Sequence, residues 1–248
     1  MGPEDKRSHA SSPRQNQLLN ALSDAEYTRL EPDLQLEFLP LGTMIVEAGE
    51  TVHHAYFPTT AIISLLSVLK DGASAEIALT GRDGVVGVAL FMGGATTTTS
   101  AVVQSAGYAY RLDAGPLTRE FVRGGPLHQL LLRYMQALVT QMVQTAACNR
   151  HHSLEQQLCR WLLQSLDLLT SNELVMTHDL IANMLGVRRS GISLAAGKLQ
   201  ADGIINYRRG HIAVVSREKL ERCACECYAV VKREVARLLP AEHPRVTP

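Results

Sequence analysis

Two patterns of hydrophobic residues divide the chain into a first part of strands and a second part of helices. Between Leu36 and Leu112, runs rich in β-branched and aromatic residues alternate with turn signals such as Asp71-Gly72 and Asp83-Gly84. Asp-Gly pairs favour tight turns between antiparallel strands. The segments predicted as strands are "TMIVEAG", "HAYFPTTAIISLLSVL", "SAEIALTG", "GVVGVALF" and "SAVVQSAGYAYRL". Many short strands at this spacing predict an antiparallel β-roll of the jelly-roll type.

After Pro126 the hydrophobic period changes to three and four residues, which is typical of an amphipathic helix. No Gly or Pro interrupts this pattern before Gly186. A heptad seam suitable for pairing with a second copy of the chain is formed by Leu127, Leu131, Tyr134, Leu138 and Thr145. This seam predicts a long dimerisation helix over residues 121–150. The alternative is that the same stripe packs on the β-roll.

A pair of short helices is predicted further along the chain. Thr177 can cap the first, and Gly186 can end it in a left-handed conformation. The second helix follows directly, with its buried face predicted at Ile192, Ala195, Ala196 and Leu199. Two short helices joined by a tight turn with glycine form a helix-turn-helix, whose second helix enters the major groove of DNA.

The stretch "IINYRRGHIAVV" after Gly203 predicts two strands around a hairpin that carries Arg208 and Arg209. The order of helix, glycine turn, basic helix, Asp-Gly stop and basic hairpin is that of a winged helix-turn-helix. The chain is therefore predicted to be an α+β protein with an N-terminal antiparallel β-roll, a long dimerisation helix and a C-terminal winged helix-turn-helix. The predicted boundaries are a flexible leader at 1–17, the β-roll at 18–120, the dimerisation helix at 121–150, the winged helix at 151–235 and a tail at 236–248.

The net charge is zero, but charge is distributed unevenly. Residues 1–120 hold 8 basic and 14 acidic residues, whereas residues 177–217 hold 6 basic and 2 acidic ones. A positive segment on the predicted helix-turn-helix indicates double-stranded DNA as the partner. Base contacts are predicted for Arg189, Ser190 and Ser193. Phosphate contacts are predicted for Arg188, Lys198, Arg208 and Arg209.

Several other classes of protein are not supported. The longest largely apolar run, Ala61 to Leu69, has nine residues, while a membrane span needs roughly 20. With no secretory signal and an odd number of cysteines, the chain is expected to be cytoplasmic and not membrane-bound. The sequence contains no phosphate-binding loop, zinc-protease motif or nucleophile elbow, so it is not predicted to be an enzyme.

The segment "CACEC" raises the question of a metal or redox site. If it is helical, Cys223 and Cys227 align and Cys225 points away, which leaves two ligands where a structural zinc needs four. For the pairs His53-His54 and His151-His152, no acidic or thiol neighbours at ligand spacing are expected, and solvated or capping histidines are predicted. No metal and no cofactor are therefore predicted, and the cysteines are expected to be small buried residues. A metal or redox switch through these thiols is the alternative.

The sequence resembles the Crp/Fnr family of bacterial transcription regulators over about residues 20 to 235. The resemblance is carried by "YFPTTAIISLL", "DGASAEIALTGRDGVVG", "QTAACNRHHSLEQQLCRWLL" and "MTHDLIANMLGVRRSGISLAAGKLQADGIINYRRGHIAVV". It implies a β-roll that senses a signal, a helix that makes a homodimer, and a winged helix that binds a palindromic promoter site. It also makes RNA polymerase a candidate partner, and it maps the family's base-reading arginine onto Arg189 and a second family arginine onto Leu194.

The sequence departs from cyclic-nucleotide-binding relatives in the segments that hold the ligand. Where the resemblance expects Gly-Glu and Arg-Ser/Thr-Ala, the chain has Gly87-Val88 and Thr99-Ser100-Ala101. Without that carboxylate and guanidinium, binding of a cyclic nucleotide in the usual mode is not expected. Gly87, Thr99 and Ser100 are the candidate residues for another polar ligand, and a small-ligand signalling module is the alternative function. Clustered N-terminal cysteines of the iron-sulfur relatives are absent.

Overall fold

The computed structural model describes residues 12–169 and 172–239. The strands are β1 Gln35–Leu39, β2 Met44–Val46, β3 His54–Pro58, β4 Ile62–Val68, β5 Ser74–Thr80, β6 Ser100–Ser105, β7 Gly107–Asp113, β8 Glu173–Val175, β9 Ile205–Arg208 and β10 His211–Val214. The α-helices are α1 Gln17–Asn20, α2 Asp24–Leu30, α3 Ala89–Met92, α4 Ala114–Arg123, α5 Pro126–His151, α6 Leu154–Leu168, α7 His178–Leu185, α8 Arg189–Ala201, α9 Arg217–Cys223 and α10 Glu226–Leu238. Short 3-10 turns lie at Pro13–Gln15 and Glu31–Asp33. Residues 1–11 of the predicted leader and 240–248 of the predicted tail lie outside the described residues.

The first half of the chain forms the predicted antiparallel β-roll. One sheet has the strand order β1-β7-β3 and the other has the order β2-β6-β4-β5. Phe57 and Leu112 from the first sheet share one buried core with Ile63 and Val103 from the second. The two sheets therefore close on each other by burying their inner faces, which is the main stabilising term of such an architecture.

The predicted strand at "GVVGVALF" is wrong. Only Val86 makes a β-bridge, to Tyr56 of β3, and Ala89–Met92 is a helical turn. The reason lies at Gly87, which has a φ of 103° and packs against β3 so closely that a Cβ would lie 2.7 Å from the carbonyl oxygen of His54. A residue with a side chain would be strained there, and the strand ends.

The end of the predicted leader is part of the folded β-roll. Asn16 is completely buried, and its side-chain amide donates hydrogen bonds to the carbonyl oxygens of Pro58, at 2.9 Å, and Gly84, at 2.8 Å. Its side-chain oxygen caps α1. A buried amide with its hydrogen bonds satisfied fixes the chain in place, so the packed region begins earlier than the predicted boundary at residue 18.

The long helix begins later than predicted. Residues 121–123 belong to α4, and Gly124 and Gly125, both with positive φ, separate it from α5. Pro126 then occupies the first turn of α5, a position where its missing N–H costs nothing. The 26-residue helix that follows confirms the predicted long helix.

The seam predicted for dimerisation is wrong, because the protomer buries it within itself. The exposed fractions are 1% for Leu127, 0% for Leu131, 5% for Tyr134, 4% for Leu138 and 6% for Thr145. Tyr134 also donates a hydrogen bond from its hydroxyl to the carbonyl oxygen of Val85, at 3.0 Å. Packing on the β-roll, the alternative reading of the stripe, is what the structure shows.

A second apolar stripe lies on the other side of α5, and we call it the outer stripe. Its members are Leu132, Met135, Val139, Met142, Val143 and Ala146. Leu132, Val139 and Val143 are 46%, 51% and 58% exposed. Their spacing follows three and four residues, so they form a continuous ridge. Met135 and Met142 are half-buried and pack partly against the core of the β-roll, so the surface left for another chain is the exposed ridge of Leu132, Val139 and Val143.

The winged helix packs on the edge of the β-roll through buried polar contacts. Glu76 of β5 accepts hydrogen bonds from the Trp161 indole, at 2.9 Å, and the Ser64 hydroxyl, at 2.6 Å. Gln104 of β6 donates from Nε2 to the Ser165 hydroxyl, at 3.1 Å. Because Trp161 and Ser165 lie on α6, these bonds fix the first helix of the C-terminal domain against the roll.

The burial of Glu76 predicts a pH-dependent stability. Burial raises the pKa of Glu76 from 4.5 to about 7, against the opposing effect of its hydrogen bonds and of Arg160. A carboxyl group whose pKa is raised on folding stabilises the fold below its unfolded pKa and loses that contribution as the pH rises through 7. The free energy of unfolding of Glu76→Gln minus that of the unsubstituted protein should therefore rise by roughly 3 kcal/mol as the pH is raised from 4.5 to 8. Urea unfolding of both proteins at several pH values measures this, and an unchanged difference between them would contradict it.

Helix α10 returns from the winged helix to the β-roll. Leu238 and Leu239 belong to the core of the roll, and Gln136 of α5 donates from Nε2 to Glu234 at 3.3 Å. The predicted boundary between residues 235 and 236 therefore falls inside this helix. In the part of the chain that the structure describes, no helix combines the length and apolar character needed to cross a membrane.

Candidate nucleic-acid interface

The helix-turn-helix forms where the sequence predicts it. Thr177 caps α7 by accepting a hydrogen bond from the Leu180 N–H, at 3.3 Å, and Gly186 ends the helix with a φ of 65°. The N–H of Val187 donates to the carbonyl oxygen of Ala182 at 2.9 Å, which closes the turn. The predicted inner face of α8 is buried at Ile192, Ala195, Ala196 and Leu199. The left-handed glycine lets two helices meet at a fixed angle over one small core.

The outer face of α8 carries the residues predicted to contact bases. Arg188 is the N-cap residue, Arg189 is the first helical residue, and Ser190 follows in the same exposed turn. Arg189 Nε lies 3.4 Å from Asp179 Oδ1, with side-chain exposures of 68% and 62%. An ion pair this exposed contributes only about 0 to 1 kcal/mol, so it holds the arginine near the helix N-terminus without preventing its transfer to an anion.

The wing is a hairpin with two arginines at its end. Strands β9 and β10 pair with His211 opposite Arg208, which leaves Arg209 and Gly210 as the two turn residues. Their φ values, 50° and 81°, are both positive, as a tight hairpin turn of this kind requires. Arg208 and Arg209 are exposed, and β8 completes the small sheet on the other side of β10. The hairpin predicted from "NYRRGH" is therefore confirmed.

A contact that the sequence did not reveal joins the two helices to the wing. The ring of His178 stacks on Tyr207 of β9, with ring centroids 4.0 Å apart, and its Nδ1 lies 3.0 Å from the Ser193 hydroxyl of α8. Burial, reinforced by nearby Arg189, lowers the pKa of His178 below its usual value. The neutral ring thus ties α7, α8 and β9 into one unit, and Ser193 already holds one hydrogen bond within the protein.

Lys198 has a partner that the sequence did not indicate. Its Nζ lies 2.6 Å from Glu155 Oε2 at the start of α6. The lysine is exposed, but the negative charge of that carboxylate opposes the attraction of the lysine to a phosphate. In the part of the chain that the structure describes, no ion pair is formed by Arg188, Arg208 or Arg209, so these three remain better candidates than Lys198 for the predicted phosphate contacts.

The candidate ligand residues of the β-roll do not surround one cavity. Gly87 lines a cavity of about 120 Å³ together with His53, His54 and Glu50, but Thr99 and Ser100 do not. Thr99 is bonded to the Thr97 hydroxyl at 3.0 Å, and the Ser100 hydroxyl accepts from the Ala48 N–H at 3.1 Å. No lysine or arginine lines the cavity. Small-molecule sites usually enclose about 300 Å³ or more, so this cavity is smaller than a typical small-molecule site.

The cysteines are arranged differently from the predicted pair of Cys223 and Cys227. A chain bend at Ala224 and Cys225 separates α9 from α10, so "CACEC" is not one continuous helix. Cys225 and Cys227 lie together with Cys148 of α5 and His152 at the end of that helix, whereas Cys223 lies outside this group. The prediction that no more than two ligands converge is wrong.

Two family models match the chain. The model of the Crp-like helix-turn-helix domain matches residues 156–223, which contain α7, α8 and the wing. The model of the cyclic nucleotide-binding domain matches residues 36–123, which form the β-roll. Together these ranges span more than half of the chain, in the order that is typical of one family.

The chain belongs to the Crp/Fnr family. It is accordingly a DNA-binding transcription regulator, as the resemblance of the sequence implied. No curated protein matches the sequence. The cyclic nucleotide-binding model describes the fold of the roll, and the departures at Gly87-Val88 and Thr99-Ser100 remain as the sequence has them.

Solved structures of Crp/Fnr regulators share the fold. FixK2 from Bradyrhizobium japonicum has a TM-score of 0.67 at 15% identity, covering 77% of this chain and 98% of its own. A regulator assigned to the crp/fnr family from Eubacterium rectale has a TM-score of 0.66 at 17% identity, and the match covers 85% of this chain and 98% of that regulator. A transcriptional regulator of the CRP family from Thermus thermophilus has a TM-score of 0.62 at 18% identity, and the match covers 76% of this chain and 96% of that regulator.

Proposed function

We propose that this Crp/Fnr regulator binds a palindromic promoter site as a homodimer in the cytoplasm, and that it does so without a cyclic nucleotide. The observation that carries the proposal is that the exposed first turn of α8 and the exposed wing are held in one unit by His178, which contacts Ser193 of α8 and Tyr207 of β9. An α8 inserted in the major groove presents its N-terminal turn to base edges, while the wing lies along the phosphate backbone. If the bound protein activates its promoter, we propose that it also contacts RNA polymerase.

Base recognition is assigned to the outer face of α8. Arg189 can donate two hydrogen bonds to guanine O6 and N7, and the N-terminal end of the helix adds its positive dipole. Ser190 and Ser193 are small enough to let the helix backbone approach the bases. Leu194 is 79% exposed one residue further on. An apolar side chain at this position suits a thymine methyl group, and it replaces the arginine that the resemblance expects there.

Dimerisation is assigned to the outer stripe of α5. A ridge of leucine, methionine and valine at heptad spacing can pair with its own copy by packing knobs into holes. Two identical helices related by a two-fold axis place two copies of α8 on one side of the dimer, which matches a palindromic site. The outer stripe thus takes the role that the sequence assigned to the buried seam.

We infer that a cyclic nucleotide does not control this regulator. The cavity beside Gly87 is smaller than a typical small-molecule site, and among the described residues no lysine or arginine lines it to pair with a phosphate. The hydroxyl groups of Thr99 and Ser100 are bonded within the protein. The size of the cavity and the bonded hydroxyl groups both support DNA binding that does not depend on a cyclic nucleotide.

Arg208→Ala tests the role of the wing on duplex DNA of any sequence. A phosphate contact contributes to specific and non-specific binding alike, and each one lost flattens the salt dependence of the binding constant by about 1. We expect weaker binding to all duplexes and a salt slope lower by about 1 for each protomer. Fluorescence anisotropy titrations at several salt concentrations measure both. Arg119→Ala, which removes the same charge from an exposed position on α4, is the control and should leave the slope unchanged. An unchanged slope for Arg208→Ala would contradict the assignment.

A further inference from the structure

Four potential metal-binding side chains meet where the end of α5 lies against the start of α10. They are Cys148 of α5, His152 at its C-cap, and Cys225 and Cys227. Their ligand atoms all lie within 4.8 Å of one another. The three cysteines are buried and the histidine is half-buried, so the group is enclosed by the protein.

Local backbone geometry explains why these four converge. His152 is the C-cap residue of α5, four residues after Cys148, and its N–H donates to the carbonyl oxygen of Cys148 at 3.0 Å, which places both residues on the same side of the helix end. The chain is extended at Ala224 and Cys225, with ψ values of 156° and 168°, and α10 begins immediately afterwards. Cys225 is the N-cap residue of α10 and Cys227 lies in its first turn. The bend therefore turns a C-x-C sequence toward the helix that holds the other two ligands.

The distances suit a single tetrahedral ion. Cys148 Sγ lies 3.5 Å from Cys225 Sγ, and Cys227 Sγ lies 3.7 Å from His152 Nδ1. Zinc bound at about 2.3 Å from sulfur and about 2.0 Å from nitrogen separates its tetrahedral ligands by roughly 3.5 to 3.8 Å. The set of three cysteines and one histidine is one of the structural zinc sets. We propose that Cys148, His152, Cys225 and Cys227 bind one zinc ion.

The second nitrogen of His152 has the partner that a zinc ligand needs. Its Nε2 lies 3.3 Å from Glu226 Oε2. A carboxylate at this place favours a proton on Nε2, which leaves the lone pair of Nδ1 directed toward the sulfur atoms. Glu226 thus selects the tautomer of His152 that can bind a metal ion.

A buried arginine can balance the net negative charge of a zinc ion bound by three thiolates. Arg160 of α6 is 3% exposed, and its Nε lies 3.2 Å from Cys148 Sγ. Its Nη1 donates to Gln164 Oε1 at 2.6 Å and Thr145 Oγ1 at 3.3 Å. Among the described residues this guanidinium makes no ion pair; the buried carboxyl group of Glu76 lies within its electrostatic influence, but burial raises the pKa of Glu76 to about 7. A buried cation is stabilised by an anionic partner in direct contact. Three thiolates and a zinc ion carry one net negative charge, which gives Arg160 that partner.

The ion would join the parts of the molecule that must keep a fixed orientation. Its ligands connect α5, which carries the outer stripe, to α10, and Arg160 connects the site to the first helix of the winged domain. A tetrahedral site here restrains the angle between the dimerisation helix and α8. That consequence rests on the proposed function, whereas the binding of zinc does not.

Metal analysis of the purified full-length protein tests the site directly. We expect about one zinc per chain, and cobalt added to the chelator-treated protein should give the visible absorption bands of a tetrahedral thiolate site. Cys227→Ser should lose the zinc and the cobalt bands. Cys223→Ser, which changes the same type of residue in the same segment outside the group, should keep both.

Three outcomes would overturn the proposal. The unsubstituted protein could bind neither zinc nor cobalt, Cys227→Ser could retain as much metal as Cys223→Ser, or protein purified under reducing conditions could contain a Cys148–Cys225 disulfide in place of metal. Circular dichroism of the variants separates loss of the ligand from loss of the fold. The cobalt titration of the unsubstituted protein requires no variant. Because none of these measurements uses DNA, their outcome is independent of the proposed function.

Discussion

Val139→Glu should convert the homodimer into a monomer and remove most of its specific DNA affinity. Val139 lies in the middle of the outer stripe and is 51% exposed in the protomer. In a two-fold pair of α5 helices it meets its own copy, so the substitution places two carboxylates against each other in an apolar interface. Without the second protomer the protein binds one half-site, and we expect a loss of at least about 100-fold in affinity for the full site. Mass photometry and anisotropy titrations measure the two effects.

Gln144→Glu is the matched control for this substitution. It adds the same charge to the same helix at a half-buried position outside the outer stripe, and it should leave the dimer and the affinity unchanged. A Val139→Glu protein that remains dimeric, or a monomer that binds the full site as tightly as before, would show that α5 does not form the interface.

Arg189→Ala should remove most of the discrimination at one base pair of each half-site. The arginine begins α8, is 68% exposed in its side chain and is restrained only by the exposed carboxylate of Asp179. Loss of a bidentate contact to guanine costs roughly 1 to 3 kcal/mol. The ratio of the dissociation constants for the selected site and a scrambled duplex should therefore fall by about 5- to 150-fold per half-site.

Arg189→Lys separates the shape of the arginine from its charge. Lysine keeps the positive charge but cannot form the planar pair of hydrogen bonds. It should bind scrambled DNA as the unsubstituted protein does and still lose discrimination. Equal losses on selected and scrambled DNA for both variants would instead make Arg189 a phosphate ligand.

The winged helix could be predicted because its determinants are local. Gly186 ends a helix, an Asp-Gly pair ends the next, and Arg209-Gly210 forms a hairpin turn, each from residues adjacent in sequence. The β-roll was predicted for the same reason, from short strands and their turns. The wrong strand at residues 84–91 arose because the close approach of Gly87 to β3 is a tertiary contact.

The faces of α5 could not be told apart from the sequence. The helix has apolar residues on two sides, and both stripes follow a period that suits either a core or a coiled coil. Which side is buried depends on the position of the β-roll, where Val85 accepts the hydrogen bond of Tyr134. Heptad spacing alone therefore selected the buried stripe.

The cysteine group combines a local signal that was missed with a distant one. Cys148 precedes His152 by four residues, a spacing that brings two ligands together on one helix and was visible in the sequence. Their convergence with Cys225 and Cys227 depends on the bend at Ala224 and on the return of α10 to α5. The hydrogen bond between Glu76 and Trp161 could not be predicted either, because these residues are 85 positions apart and meet only in the folded chain.

Selection of random duplex DNA by the purified protein, with and without added cyclic AMP, tests sequence-specific binding and its independence of a nucleotide in one experiment. We expect a palindrome whose half-sites lie about one helical turn apart, recovered equally well in both conditions. Uniform, steeply salt-dependent binding without a motif would contradict sequence-specific recognition, and a palindrome recovered only with cyclic AMP would contradict nucleotide-independent binding.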